Sequence, residues 1–458
     1  MVVVDWRLKE LWSRIRDLQE DLEQAGSLIH SQLKIASNNL LKVFGQDCSV
    51  QTSKELLEET VLISEALLIL AEEKISSFFY NKIQTIWRQL YTDSTLIKVS
   101  TILSSVSEYS EIFENVDWYG LMKLLDMALI VSGVPGRGRR EATFFLIKKI
   151  QKDFINTKSL SNQVESSIER PLKKPRTIFN TYDQKINSQF SVVQRSIQSF
   201  ELPPSDESFS TELYKKPFVI KKYCKNWPAL KERPWKDLNY LRASTGPGRF
   251  VPVEIGRNYS DDDWGQKIMS WYEFLNKLEF SGTIQPEIVY LAQYNLFNQF
   301  PSLKDDMVIP SYTDCQIPSE VGSKPESEDG LLLNAWLGPS GTISPAHTDP
   351  YYNCYAQIVG KKYVWVAPPG FYDEMYPFGK VSGDEKSLQS NFMNNTSQVD
   401  IFEKDLKKLQ EKFPQFVEQV LPQAMQVVLE EGDMLVMPPG WWHSMKSLET
   451  SMNISIWF

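Results

Sequence analysis

Three side chains of this 458-residue chain have the types and spacing to share one metal ion: His347, Asp349 and His443. The chain holds only three histidines, the third being His30, so two of the three fall in this group. His347 and Asp349 stand two apart, and on an extended strand residues i and i+2 point to the same face. His443 follows 96 residues later, a separation that neighbouring strands of a barrel can close. Two imidazoles and one carboxylate on one face of an octahedron leave three open positions, the facial triad of non-haem Fe(II) oxygenases. A catalytic zinc site uses the same ligand types, so the ligands alone leave the metal open. Cys48, Cys224, Cys315 and Cys354 are scattered with no CxxC. That argues against a zinc finger, a thioredoxin-like site and a disulfide scaffold, and fits a reducing compartment.

Both ligand groups sit in segments of similar construction. The first is GTISPAHTDPYYNCYAQIVG over 341–360, and the second is GDMLVMPPGWWH over 432–443. In each, a glycine turn leads into a short strand and the ligand follows at a fixed spacing. A lone HxD is common, and a lone histidine is more often structural. Two complementary segments in one chain shift the balance toward a metal site.

The elements that must carry these residues are legible from proline. All 25 prolines lie at or after Pro135. Proline breaks helix interiors, so the proline-free stretch permits long helices. Leu8, Leu11, Ile15, Leu18 and Leu22 form one helical stripe. Thr52 with Glu55 reads as a capping box opening a helix near 56–71. Further helices are expected near 77–90, 96–115, 118–132 and 140–156. Residues 1–156 are thus expected to be an all-helical domain. The glycine-rich run GVPGRG (133–138) matches no phosphate-binding pattern and reads as an interhelical turn. Residues 157–199 read as a polar linker. Within it RPLKKPR (170–176) is either a nuclear localisation signal or a solvated basic run. After residue 200, short β-rich runs alternate with Pro/Gly turns near 217–221, 250–255, 288–292, 331–337, 354–359, 363–367, 426–429, 434–437 and 451–457. That density suggests a sandwich or barrel, with helical insertions near 271–278 and 401–421. The fold class expected is α+β.

Net charge is −9 and the pI is near 5.2. This acidic balance disfavours direct nucleic-acid binding, although a local basic face stays compatible with it. No signal peptide is visible. The most apolar early stretch, 61–71, contains Ser64 and Glu65 and is too short to span a bilayer.

The paired segments match the two cupin motifs, G(x)5HxD(x)3N(x)6G and G(x)5PxG(x)2H. The larger pattern resembles the JmjC family of Fe(II)- and 2-oxoglutarate-dependent oxygenases, and within it the Jumonji domain-containing protein 5 group. The resemblance is carried by YLAQYNLF (290–297), NAWLGP (334–339), GTISP (341–345), NNTSQVD (394–400) and VPVEIG (251–256), and it spans about residues 215–458. It implies a double-stranded β-helix, the cupin or JmjC jelly roll, within an oxygenase domain over 200–458. It implies Fe(II) held by His347, Asp349 and His443, with 2-oxoglutarate as co-substrate and O2 as oxidant. Lys362, fifteen residues after His347, matches the lysine that binds the distal carboxylate. Tyr290, Ser344 and Asn353 match further co-substrate contacts, and Trp336 and Trp457 would wall the pocket. Glu254 and Trp264, together with the acids Asp261, Asp262 and Asp263, are candidates for holding a basic substrate side chain.

The resemblance points to a protein hydroxylase acting on arginine or lysine, with a histone lysine demethylase as the alternative. An ordinary hydroxylated carbon keeps its hydroxyl, whereas a hydroxylated N-methyl group collapses and releases formaldehyde. Asp349 as the middle ligand, the fifteen-residue spacing to Lys362 and the lack of a cysteine-rich reader favour the hydroxylase. A catalytically silent scaffold, a small-molecule or tRNA oxygenase and a zinc hydrolase are further readings. The expected partner is a protein or peptide with a basic side chain, with chromatin as one source, in the nucleus or cytoplasm, and no membrane.

Overall fold

The structure is a computed structural model. It describes residues 26–45, 49–78, 82–108, 116–155, 193–256, 264–279, 288–318, 322–378 and 394–458. The stripe at 8–22, Cys48, the basic run 170–176 and Asp261–Asp263 lie outside those residues. The chain divides into two compact units, 1–172 with 246–251, and 173–245 with 252–458.

The first unit is helical. Its described helices are α1 (Ser27–Gly45), α2 (Val50–Ser76), α3 (Thr85–Glu108), α4 (Trp118–Met127) and α5 (Arg139–Ile150). The cap of α2 differs from the expectation at Thr52. Ser49 is the N-cap, its hydroxyl accepting the Thr52 amide, and the helix runs well beyond 56–71. The helix expected at 77–90 is not formed as such, because α2 ends at Ser76 and α3 begins at Thr85. α3 shows no clear apolar stripe because polar and apolar residues alike are buried along its middle. Leu90, Leu96, Ile97 and Val99 are buried, and so are Thr92, Thr95, Ser100 and Thr101. Thr92 and Thr101 return their hydroxyls to carbonyls one turn back. Asp93 of α3 takes two hydrogen bonds from Arg139 of α5, at 2.6 and 2.9 Å, with both side chains buried. The GVPGRG turn between helices delivers that arginine.

Among the described residues fourteen strands are found, all in the second unit except the first two residues of β4: β1 (Arg195–Ser196), β2 (Gln198–Phe200), β3 (Phe218–Ile220), β4 (Phe250–Ile255), β5 (Gly265–Ser270), β6 (Val289–Tyr294), β7 (Leu332–Gly338), β8 (Ile343–His347), β9 (Asn353–Val359), β10 (Lys362–Ala367), β11 (Met425–Leu429), β12 (Met434–Met437), β13 (Trp442–Ser447) and β14 (Ser451–Trp457). One sheet runs β1-β11-β10-β13-β8, and the other β2-β3-β12-β9-β14-β7-β6-β4-β5. β1 and β2 come from the end of the stretch expected to be linker. β5 is a further strand where none was expected.

The inner core draws on both sheets. Val364 and Val366 of β10 and Met445 of β13 cluster with Tyr355 of β9 and Leu435 and Met437 of β12. The alternate residues Tyr363, Trp365 and Ala367 face outward into a second core with Phe413, Phe416 and Val420. β10 is therefore covered on both faces, which is why it reads as an unbroken apolar run after Lys362. The cover over 401–421, expected as one helical insertion, is broken by Pro414. It forms a short helix, Leu406–Lys412, then a wide π turn over Phe416–Val420 and a 3-10 turn over Leu421–Gln423. At the β9–β10 turn, Gly360 has φ +69°, and a Cβ there would collide with the Thr450 carbonyl.

Candidate active site

His347 ends β8 and His443 lies near the start of β13, and the two are direct register partners in an antiparallel pair. The long sequence gap is thus closed by strand pairing. Their ring centroids are 4.2 Å apart. Asp349 lies just beyond the end of β8, held there by the Gly440 amide donating to its carbonyl at 2.8 Å. Its carboxylate oxygens are 3.8 Å from His347 Nε2 and 3.5 Å from His443 Nε2. One ligand atom from each residue can be chosen so that all lie within 4.8 Å of one another.

This donor set fits a divalent ion. The carboxylate is too far from either imidazole for a strong direct hydrogen bond, yet close enough to share a ligand. Each histidine places Nδ1 on the carbonyl two residues back, Pro345 at 2.8 Å and Trp441 at 3.1 Å. That bond fixes the proton on Nδ1 and turns the Nε2 lone pair toward the shared point. Burial, reinforced by neighbouring His347, pushes the His443 pKa down to about 4, against the opposing pull of Asp349. His443 is therefore a neutral donor at ordinary pH.

A β-bulge sets the next group of residues. His347 pairs with His443, but Ser344 pairs with Met445, so three steps on β8 oppose two on β13. The extra residue lets Ser344 and His347 share the inner face despite their odd spacing, while Ala346 joins the outer core. The Ser344 hydroxyl bonds the Tyr290 phenol, whose pKa burial nonetheless drives far above the usual tyrosine range. Gly338 makes room for Tyr290, since a Cβ there would meet the ring at 2.5 Å.

Lys362 opens β10 and reaches from one sheet to the other. Its Nζ is 3.2 Å from Tyr290 Oη, 3.0 Å from Tyr355 Oη and 3.0 Å from Asn453 Oδ1. All three acceptors are neutral, and among the described residues no carboxylate pairs with it. Burial lowers its pKa to about 7. Its neighbour Lys361 points elsewhere, to Glu430 at 3.2 Å. Val366, four residues along the same face, is the register partner of His443. The two backbone positions are thus roughly 13 Å apart along the strand. A buried cation lacking an anion, at that remove from a metal-type triad, suits the far carboxylate of a short diacid chelated at the metal.

The other expected residues line the same interior. Trp336 donates its indole N–H to Ser455 at 3.1 Å, and its ring is 6.0 Å from that of Tyr290. Asn353 and Trp457 are register partners on β9 and β14. Both are buried, and neither Asn353 Oδ1 nor Trp457 Nε1 has a hydrogen-bond partner. Glu254 of β4 stands opposite Tyr290 of β6. Burial raises its pKa, and the Trp264 indole opposes that shift without forming a hydrogen bond of ordinary geometry. Trp442 packs in the outer core and Trp441 in the inner core.

Sequence reasoning missed Tyr355, Asn453, Gln357 and Ser455. The signal was present in β14, SMNISIW, all of it buried. Ser451, Asn453 and Ser455 alternate with Met452, Ile454 and Ile456. Polar residues at every second position of a fully buried strand mark a face that lines a polar interior.

Two facing sheets with a His/Asp/His group and an inward lysine define a double-stranded β-helix of the metal-binding cupin type. The chain belongs to the cupin-like JmjC family: the cupin-like domain matches residues 205–458. It is 32% identical over 407 residues to "Lysine-specific demethylase JMJ30" of Arabidopsis thaliana, covering 86% of this chain and 85% of the relative. It is 37% identical over 260 residues to "Jumonji C domain-containing protein 5" of Drosophila melanogaster, covering 56% and 58%. A more distant relative, 23% identical over 259 residues with 53% and 77% covered, is the human "Bifunctional peptidase and (3S)-lysyl hydroxylase JMJD7". The protein is accordingly a JmjC-type 2-oxoglutarate-dependent dioxygenase, of a family that is generally Fe(II)-dependent. Among the described residues no helix is long and apolar enough to cross a membrane.

Proposed function

We propose that this protein hydroxylates an arginine or lysine side chain of a protein substrate, using Fe(II), 2-oxoglutarate and O2. The observation that carries the reading is Lys362, a buried ammonium among neutral acceptors on the inner face that also bears the histidines. Iron with 2-oxoglutarate supplies oxidative insertion of one oxygen into a C–H bond, with succinate and carbon dioxide released. The chain's own residues do the rest. His347, Asp349 and His443 would hold the metal. Lys362 and the hydroxyls of Tyr290 and Ser344 take the distal carboxylate. Asn353 offers its unpaired amide oxygen to the same interior. Trp336 and Trp457 wall the pocket against water.

Glu254 and Trp264 form an acid-and-indole corner beside Tyr290, suited to a guanidinium or ammonium group. Asp349 as the middle ligand and the spacing from His347 to Lys362 favour hydroxylation. A second reading, lysine demethylation, is favoured by the name of the Arabidopsis relative. Residues 1–156 serve as a partner-selecting helical domain, the stretch from 157 up to β1 as a linker, and the chain from β1 onward as the oxygenase. The run at 170–176 directs the protein to the nucleus, where chromatin proteins supply basic side chains.

Mass spectrometry of arginine-, lysine- and methyl-lysine-containing peptides after incubation with iron-loaded protein tests this. A gain of one oxygen on an unmethylated basic residue is expected. Loss of a methyl group with formaldehyde, and no oxygen gain on any peptide, would overturn hydroxylation in favour of demethylation. Glu254→Ala should weaken peptide turnover about tenfold or more while metal binding persists, as for a lost charge-assisted contact. Unchanged turnover would remove Glu254 from the substrate site.

A further inference from the structure

We propose that Gln357 is a positioning residue. It orients the Asn453 amide so that an uncharged oxygen meets the Lys362 ammonium, leaving that charge uncompensated for the co-substrate's distal carboxylate. The inference rests on the reading of Lys362 given above.

The hydrogen-bond inventory dictates the orientation. Gln357 lies on β9 and is fully buried. Its Nε2 donates to the carbonyls of Val359 at 2.8 Å and Gly360 at 3.1 Å, where β9 turns into β10. With both amide hydrogens committed, Oε1 can only accept, and it accepts from Asn453 Nδ2. Asn453 is fully buried as well. Once its NH2 faces Gln357, its Oδ1 must face the other way, and there it lies 3.0 Å from Lys362 Nζ. The turn's two carbonyls thus fix one amide, which fixes the next, which fixes the lysine.

Gln357 is itself anchored. Its N–H donates to the Asp433 carbonyl at 2.9 Å, and its carbonyl accepts the Gly432 amide at 2.8 Å. Gln357 holds the Asn453 flip from the side away from the lysine. The reversed amide would present N–H to an ammonium, donor against donor. An amide at 453 also does what a carboxylate would not: it holds the lysine without neutralising it. Tyr290 and Tyr355 follow the same rule.

The test compares two ligands on the full chain, loaded with Mn(II) in the absence of O2. The probes are 2-oxoglutarate and 2-oxobutyrate, the second having the same chelating end and no distal carboxylate. Gln357→Met should weaken 2-oxoglutarate binding about tenfold and leave 2-oxobutyrate within about twofold. It should also shift the Lys362 ammonium resonance of the ligand-free, 15N-lysine-labelled protein. Asn453→Asp keeps the side-chain shape and adds an internal counter-ion. It should cost at least about tenfold for 2-oxoglutarate alone, and Gln357→Leu carries the test of Gln357 itself if Gln357→Met does not fold. Equal losses for both acids, an unchanged 2-oxoglutarate affinity or an unmoved Lys362 resonance would overturn the inference. Wild-type protein that binds both acids alike would instead overturn the reading of Lys362 itself, and the inference with it.

Discussion

At the scale of single residues, two titrating groups carry opposite demands. His443 must be neutral to ligate, and burial keeps it so down to about pH 4. Lys362 must be charged to take a carboxylate, and burial works against it, lowering its pKa from 10.5 to about 7. Between those two values the unfolded chain holds the proton that the folded chain lacks, so this lysine's contribution to stability rises with pH. Below about pH 7 the penalty is complete. Lys362→Met should therefore stabilise the ligand-free protein, by about 1–3 kcal/mol at pH 7, while abolishing 2-oxoglutarate binding. Thermal unfolding with and without ligand checks both halves; a variant that is destabilised and still binds would contradict the account. Because the carboxylate prefers protonated Lys362, affinity should fall about twentyfold from pH 6.5 to 8.5. A calorimetric titration at both pH values reads this directly, and a flat profile would contradict a Lys362 pKa lowered to about 7.

At the scale of elements, the site depends on strand register more than on any loop. The pairing of β8 with β13 joins the two histidines, and the bulge in β8 brings Ser344 onto their face. The ligands were legible because His347, Asp349 and His443 fall in two segments of fixed spacing. The bulge was not, because Ser344 and His347 stand three apart and simple alternation places them on opposite faces. Asn453 and Gln357 escaped for another reason. Alternation in β14 marks the face that carries Asn453, but a buried amide's partner lies far off in sequence, and spacing does not reveal which residue it is. The cover over β10 shows the same limit, since Pro414 splits an amphipathic stretch that otherwise reads as one helix. Phe416 in that cover packs beside Trp365, ring centroids 6.1 Å apart. Phe416→Ala should cost about 3–5 kcal/mol of stability by chemical denaturation. A loss below about 1 kcal/mol would mean that the cover does not hold the outer face of β10.

At the scale of the whole molecule, the sequence divides by texture. The long proline-free stretch reads as helical, and the later alternation of short apolar runs with turns reads as strands. α3 is less legible, because a helix that buries polar and apolar residues alike loses the stripe by which helices are recognised. Residues 170–176 lie outside the described structure, so their role is a matter for cell biology. A fluorescent fusion lacking them should move to the cytoplasm, and an unchanged distribution would refute the signal.

The central claim is that one interior holds a metal at His347, Asp349 and His443 and a diacid at Lys362. The most direct measurement is succinate formation from 2-oxoglutarate by iron-loaded protein under O2, with and without a basic peptide. The account predicts O2-dependent succinate that the peptide stimulates, abolished by His347→Ala and by Lys362→Met. No succinate from wild-type protein, or equal amounts from wild type and both variants, would contradict it.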